Sequence, residues 1–154
     1  MPKLDSIDKQ LLTLLQQNSK MNVKELENKL NLTKTPIYER IKRYEREGII
    51  EKYVAVLDTS KLDNLMVVFC SVTLDSQNLE VIETFRADVA NIPEVVESYL
   101  MGGANDFLLK VIVKNLEDYH QFSSGRLAAL PNVSKIRSTF VLNKVKNSTV
   151  VPIS

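Results

Sequence analysis

Few side chains in this 154-residue sequence could do chemistry, and their number and spacing narrow the options. Cys70 is the only cysteine and His120 the only histidine, so a disulfide framework, a Cys/His zinc cluster and a Cys–His catalytic pair are excluded by counting. No nucleophile with a base, paired catalytic carboxylates or phosphate-binding loop can be assembled from the motifs present. The chain is therefore read as not an enzyme, with no cofactor and no metal. What remains is charge: between Lys34 and Arg46 the cations Lys34, Arg40, Lys42, Arg43 and Arg46 oppose only Glu39 and Glu45. Such a cluster standing alone is a solvated helix face, and its context decides whether it is more. A second feature is the run Gly102-Gly103-Ala104-Asn105-Asp106, whose glycines can expose backbone N–H groups.

The elements that would position the cations are three helices. Leu4, Ile7, Leu11, Leu14 and Leu15 form one apolar stripe, with Asp5 and Asp8 near the positive end of the helix dipole. Asn22 followed by Glu25 fits a capping box, and Val23, Leu26 and Leu30 are the buried face of a short second helix ending at Asn31, a residue that tolerates the left-handed backbone of a tight turn. A third helix starts almost at once, with Thr33 or Thr35 as its cap, Pro36 in its first turn and Gly48 past its end. Two helices joined by so tight a turn form the helix-turn-helix pattern, whose second helix enters the DNA major groove. With Ile37, Ile41 and Tyr44 facing inward, the outer side carries Thr35, Glu39, Lys42, Arg43 and Arg46, flanked by Tyr38 and Lys34. Thr35 and Tyr38 are placed for base edges, Lys42, Arg43 and Arg46 for phosphates, and Glu39 can accept from cytosine N4. Arg40, beside the core stripe, either braces the helix or reaches the DNA backbone.

The remainder has another rhythm. Ile49 to Leu57 alternates as a strand, serving as a wing or as part of a dimer linker, and the polar stretch Asp58 to Leu65 reads as a boundary. Residues 1–64 carry a balance of +2 and residues 65–154 of −1. Val67 to Leu74 is apolar on both alternating faces; then come a helix on Leu79, Ile82, Phe85 and Val89, a hairpin of Val95–Met101 with Phe107–Val113, a helix capped by Asn115 and ended by Pro131, and a last strand from Ile136 to Val145. The order β-α-β-β-α-β is ferredoxin-like. Both helices fall on one side of such a sheet, and an isologous contact with a second copy covers the other most economically. No apolar run is long enough to span a bilayer and the start has no apolar signal-peptide core, so a cytoplasmic location is expected. The reading is an α+β chain: a winged helix-turn-helix domain over 1–50, a linker strand and loop over 51–65, a ferredoxin-like βαββαβ domain over 66–147 and a tail over 148–154. Cys70 reads as a small core residue, and His120 as a helix-surface residue.

Taken in order, Leu4-Asp5-x-x-Asp8-x-x-Leu11-Leu12, Leu32-Thr33-x-Thr35-Pro36, Arg40-Ile41-x-Arg43-x-Glu45-x-x-Gly48-Ile49-Ile50 and Gly103-x-x-Asp106-Phe107-Leu108-Leu109-Lys110-Val111, with Leu130-Pro131-x-Val133 and Val145-Lys146, resemble the leucine-responsive regulatory protein, or AsnC (feast/famine), family of transcription regulators over nearly the whole chain. The resemblance implies a nucleoid-associated regulator of double-stranded DNA. It also implies dimers formed through the ferredoxin-like sheets that gather into octamers, and an amino acid effector bound near the loop Gly102, Gly103, Ala104, Asn105 and Asp106, with Asp106 accepting from its ammonium. Ser98, Tyr99, Ser138 and Thr139 lie near the family's pocket, and each is equally a strand surface residue. The same loop also fits an ordinary hairpin turn in which Asp106 bonds its own backbone. The chain departs from the pattern at Ala104 and at Asn105, where relatives carry a bulkier residue. The implied function is a sequence-specific transcription regulator modulated by a small effector; an architectural DNA-binding regulator without ligand response is the alternative.

Overall fold

The computed structural model describes residues 3–62 and 65–153. Met1, Pro2, Asp63, Asn64 and Ser154, which the expected domain limits include, lie outside the described residues. The chain divides into two compact units, Met1–Val56 with Lys146–Ser154, and Leu57–Val145.

In the first unit, α1 (Ser6–Gln17) starts on a full capping box: the Asp8 N–H donates to Asp5 Oδ1 at 2.7 Å and the Asp5 N–H to Asp8 Oδ2 at 3.0 Å. The Asn22 side chain caps α2 (Val23–Leu30) by accepting from the Glu25 N–H, and Asn31 ends it in the left-handed region at φ 51°. That turn leads straight into α3 (Lys34–Arg46), whose N-cap residue is Thr33, although the Thr33 hydroxyl makes no capping bond. Pro36 in the first turn has no helical hydrogen bond to lose. At the far end Gly48 takes φ 70°, so that its N–H reaches the Glu45 carbonyl and the Ile49 N–H the Tyr44 carbonyl, a Schellman closure that a Cβ would strain. Leu11, Leu12, Leu15, Leu26, Leu30, Ile37 and Tyr44 form the buried core, with Ile41, Ile49 and Ile153 packed against it.

Two sequence expectations change here. The Ile49–Leu57 run pairs with no described segment, because a ladder needs a second strand's N–H and C=O groups and this chain offers none; Val54, Val56 and Leu57 stay exposed. The tail, read from the sequence as its own segment over 148–154, joins the first unit: the Val151 N–H donates to Gln16 Oε1 at 2.6 Å and Gln16 Nε2 donates to the Val151 carbonyl at 3.1 Å.

The second unit holds β1 (Met66–Leu74), α4 (Leu79–Ala90), β2 (Val95–Leu100), β3 (Phe107–Val113), α5 (Leu116–His120), which continues as a π-helical stretch over Gln121–Leu127, and β4 (Val133–Phe140). The last strand begins and ends earlier than the Ile136–Val145 expectation, since β1 offers partners only from Val133 to Phe140. The sheet order is β2-β3-β1-β4, antiparallel throughout, as a βαββαβ unit requires. Val68, Cys70, Val72 and Leu74 of β1 and Phe107, Leu109, Val111 and Val113 of β3 meet Phe85, Val89, Tyr119, Phe122 and Leu127 of the helices. Cys70 is a core residue, its Sγ 3.2 Å from the Tyr119 hydroxyl, and burial pushes its thiol pKa upward. The opposite face carries Val67, which is buried, and the half-buried Phe69, Leu108 and Ile112, none of them part of the core against the helices.

Candidate functional site

Burial of Ile37 and Tyr44, each fully enclosed, fixes which side of α3 meets water. At about 100° per residue, Lys34, Thr35, Tyr38, Glu39, Lys42 and Arg46 fall outside and are exposed. Tyr38 is 55% exposed, and Lys42 Nζ stands 5.5 Å over its ring. Lys42 also pairs with Glu45 at 2.9 Å, and Glu45 accepts from the Tyr53 hydroxyl at 3.1 Å. These contacts hold the Lys42 pKa above and the Glu45 pKa below their ordinary values.

Two cations expected near DNA lie elsewhere. Arg43 Nη2 is 2.6 Å from Asp8 Oδ1, Arg40 Nη1 binds the same oxygen and lies 2.9 Å from Asp5 Oδ2, and the Tyr44 hydroxyl donates to Asp8 at 2.5 Å. Arg43 therefore ties α3 to α1, with its side chain 35% exposed. It sits one residue from the buried Tyr44, on the flank that passes the start of α1. Arg40 has bracing partners in the fold, and they are aspartates. Burial opposes ionisation of Asp8, but the bonds from Tyr44, the Asp5 backbone and Arg40 outweigh it and hold its pKa at about 2. Asp8 is the residue the sequence reading undervalued. Its signal was a carboxylate one turn before Leu11 and Leu12 on the buried side of a helix.

In the second unit the loop Gly102–Ala104 is exposed and Asn105 half-buried. Asp106 is buried at 6% exposure, and its carboxylate is occupied: Oδ2 accepts from the Leu74 N–H at 2.7 Å and Oδ1 from Gln77 Nε2 at 2.7 Å. The own-turn reading is replaced: the side chain bonds across to Leu74 and Gln77, because the end of β1 runs beside the start of β3 and leaves the Leu74 N–H to be satisfied. The other expected pocket residues separate. Tyr99 and Thr139 lie on the uncovered face but on β2 and β4, the two edges of the sheet, whereas Ser98 and Ser138 lie on the helix side, where the Ser138 hydroxyl bonds that of Tyr119. On the uncovered face Glu97 joins Lys110 at 2.5 Å and accepts from the Tyr99 hydroxyl at 2.6 Å. His120 is exposed, as expected of a helix-surface residue. Among the described residues no three His, Cys, Asp or Glu side chains gather as a metal set, and no helix is long and apolar enough to cross a membrane.

Residues 67–151 match the Lrp/AsnC ligand binding domain, and residues 4–51 match the winged helix-turn-helix DNA-binding family. The chain belongs to the Lrp/AsnC family of transcription regulators. It is 33% identical over 153 residues to the Bkd operon transcriptional regulator of Pseudomonas aeruginosa, covering 99% of this chain and 100% of that one. It is 36% identical over 145 residues to the leucine-responsive regulatory protein of Salmonella typhimurium, covering 94% and 88%. Among solved structures, an AsnC family regulator from Agrobacterium tumefaciens superposes with a TM-score of 0.89 at 34% identity, over 97% of each chain. A Neisseria meningitidis transcriptional regulator in complex with L-Met superposes with a TM-score of 0.91 at 28% identity, again over 97% of each. Members of this Lrp/AsnC family are DNA-binding regulators and not enzymes, which agrees with the absence of a catalytic constellation in the sequence.

Proposed function

We propose that this Lrp/AsnC regulator reads a specific operator by inserting α3 into the major groove of double-stranded DNA. Thr35, Tyr38 and Glu39 face base edges, and Lys34, Lys42 and Arg46 face phosphates. The observation that carries the reading is the outward strip of α3, cationic and exposed while Ile37 and Tyr44 anchor the opposite side. Two copies joined through their uncovered sheet faces supply two recognition helices for half-sites about 34 Å apart, and such dimers gather into octamers. The working location is the cytoplasm, on the nucleoid.

An amino acid effector at the Gly102–Asn105 loop then biases assembly or DNA binding through unequal affinity for two states. The L-Met complex of the Neisseria meningitidis relative supports this class of ligand. Exposed backbone N–H groups suit its carboxylate. The Asp106 carboxylate already accepts one N–H on each oxygen, from Leu74 and Gln77, and keeps a further lone pair on each for the effector's ammonium. Because Asp106 is buried at 6% exposure and already serves Leu74 and Gln77, a second reading stands beside the first, a DNA-binding architectural regulator without ligand response. Sedimentation of the purified chain with each common amino acid, followed by selection from random duplexes across a salt series, tests both. Binding that weakens steeply with salt supports the DNA assignment, and amino-acid-dependent assembly or affinity separates the first reading from the second.

A further inference from the structure

We propose that Asp8 is a positioning residue that sets the strength and salt dependence of DNA binding: from α1 it withdraws Arg40 and Arg43 from the outer side of α3, leaving that helix fewer cations for phosphate than its composition carries. The inference rests on the DNA-binding reading of α3. Asp8 is 1% exposed and receives Arg40, Arg43 and Tyr44, all from α3, on one oxygen, while its other oxygen holds the Asp5 N–H. Asp5 takes Arg40 as well. Lys42 makes its ion pair with Glu45 and stands over the Tyr38 ring, both on the exposed side, and Lys34 and Arg46 have no ion pair among the described residues. Of five cations on α3, then, two are committed inward.

The commitment is firm because drawing both arginines away to phosphate would leave a carboxylate that is 1% exposed without a cation. Phosphate contacts dominate binding to any sequence, whereas base edges carry the discrimination. Removing two cations from the phosphate contacts lowers affinity for every duplex about equally, without touching Thr35, Tyr38 or Glu39. Asp8 thereby sets the sequence-independent part of the affinity and its salt dependence while seating α3 against α1.

The test measures affinity of the full chain for its selected duplex and for an unrelated duplex between about 50 and 300 mM KCl. Arg46→Ala should flatten the log–log salt dependence by about 0.9, the effect of one phosphate contact. Arg43→Ala should flatten it by clearly less. Asp8→Asn, which keeps the shape and removes the charge, should steepen it by about one to two and raise affinity for both duplexes several-fold. Adding Arg43→Ala to Asp8→Asn should then reverse about half of that gain. A folded Asp8→Asn chain with unchanged salt dependence, or an Arg43→Ala chain as defective as Arg46→Ala, overturns the inference and leaves α3 at the interface. Should Asp8→Asn fail to fold, the comparison of Arg43→Ala with Arg46→Ala decides. An Arg46→Ala chain that binds like the unaltered protein removes α3 from the interface, and this inference with it.

Discussion

A carboxylate with an ordinary pKa of 3.8 that is held at about 2 ties the stability of its surroundings to pH. For Asp8 the folded value lies below the unfolded one, so its contribution is complete above about pH 4 and is lost as the pH falls toward 2. At full strength it amounts to about 2 kcal/mol. The hydrogen-exchange protection of the α1 and α3 amides, taken relative to the intrinsic rate at each pH, should fall across that window. A flat profile would mean that the tie adds nothing. Asp106 calls for a different measurement. Its replacement by Ala leaves the buried Leu74 N–H without an acceptor, and the expected cost is about 1–3 kcal/mol, read as a lower unfolding midpoint for the second unit. Asp106→Asn retains an oxygen there and should recover much of the loss. An effector titration on Asp106→Ala must therefore be read beside that stability measurement, since a lost response could come from a loosened loop.

The helices of the first unit are specified locally and finished by distant chain. Asn31 and Gly48 both occupy left-handed backbone, and Gly48→Ala should cost about 1–2 kcal/mol by straining the closure of α3, measurable as a lower thermal midpoint. The contact from the C-terminal segment is less legible. Gln16 exchanges two hydrogen bonds with Val151, and Ile153 packs against the helical core. Ending the chain at Asn147 should therefore speed hydrogen exchange in α1 while leaving β1 and β3 protected. Equal protection in the shortened chain would make the tail incidental. The Ile49–Leu57 run marks the converse limit: alternation of apolar residues states a capacity for pairing, but pairing needs another strand.

At the level of the whole molecule the uncovered sheet face is the open question, because Val67, Phe69, Leu108 and Ile112 form an apolar centre beside the Glu97–Lys110 pair. Phe69→Glu would place a charge in that centre opposite Lys110 and Thr139. Sedimentation should find the variant dissociated at concentrations where the unaltered chain is associated, with α-helical content preserved. An unaltered association state would transfer the contact to another surface.

Element types, their order and the family were legible along the chain, because a helix or a strand is announced by the period of its apolar residues and its caps, and these are local properties. Asn22, Asn31, Pro36, Gly48 and Asn115 did in the folded chain what their types suggest. The partners of charged groups were not legible. Arg43 and Asp8 are 35 residues apart, as are no two positions that a helical or strand period relates, and Asp106 meets Leu74 across 32 residues. Which arginine turns inward, which carboxylate is already occupied and where the tail docks depend on the packing of α1 against α3 and of β1 against β3. Burial there makes an unpaired charge or N–H costly, and so compels partnerships that residue spacing cannot announce.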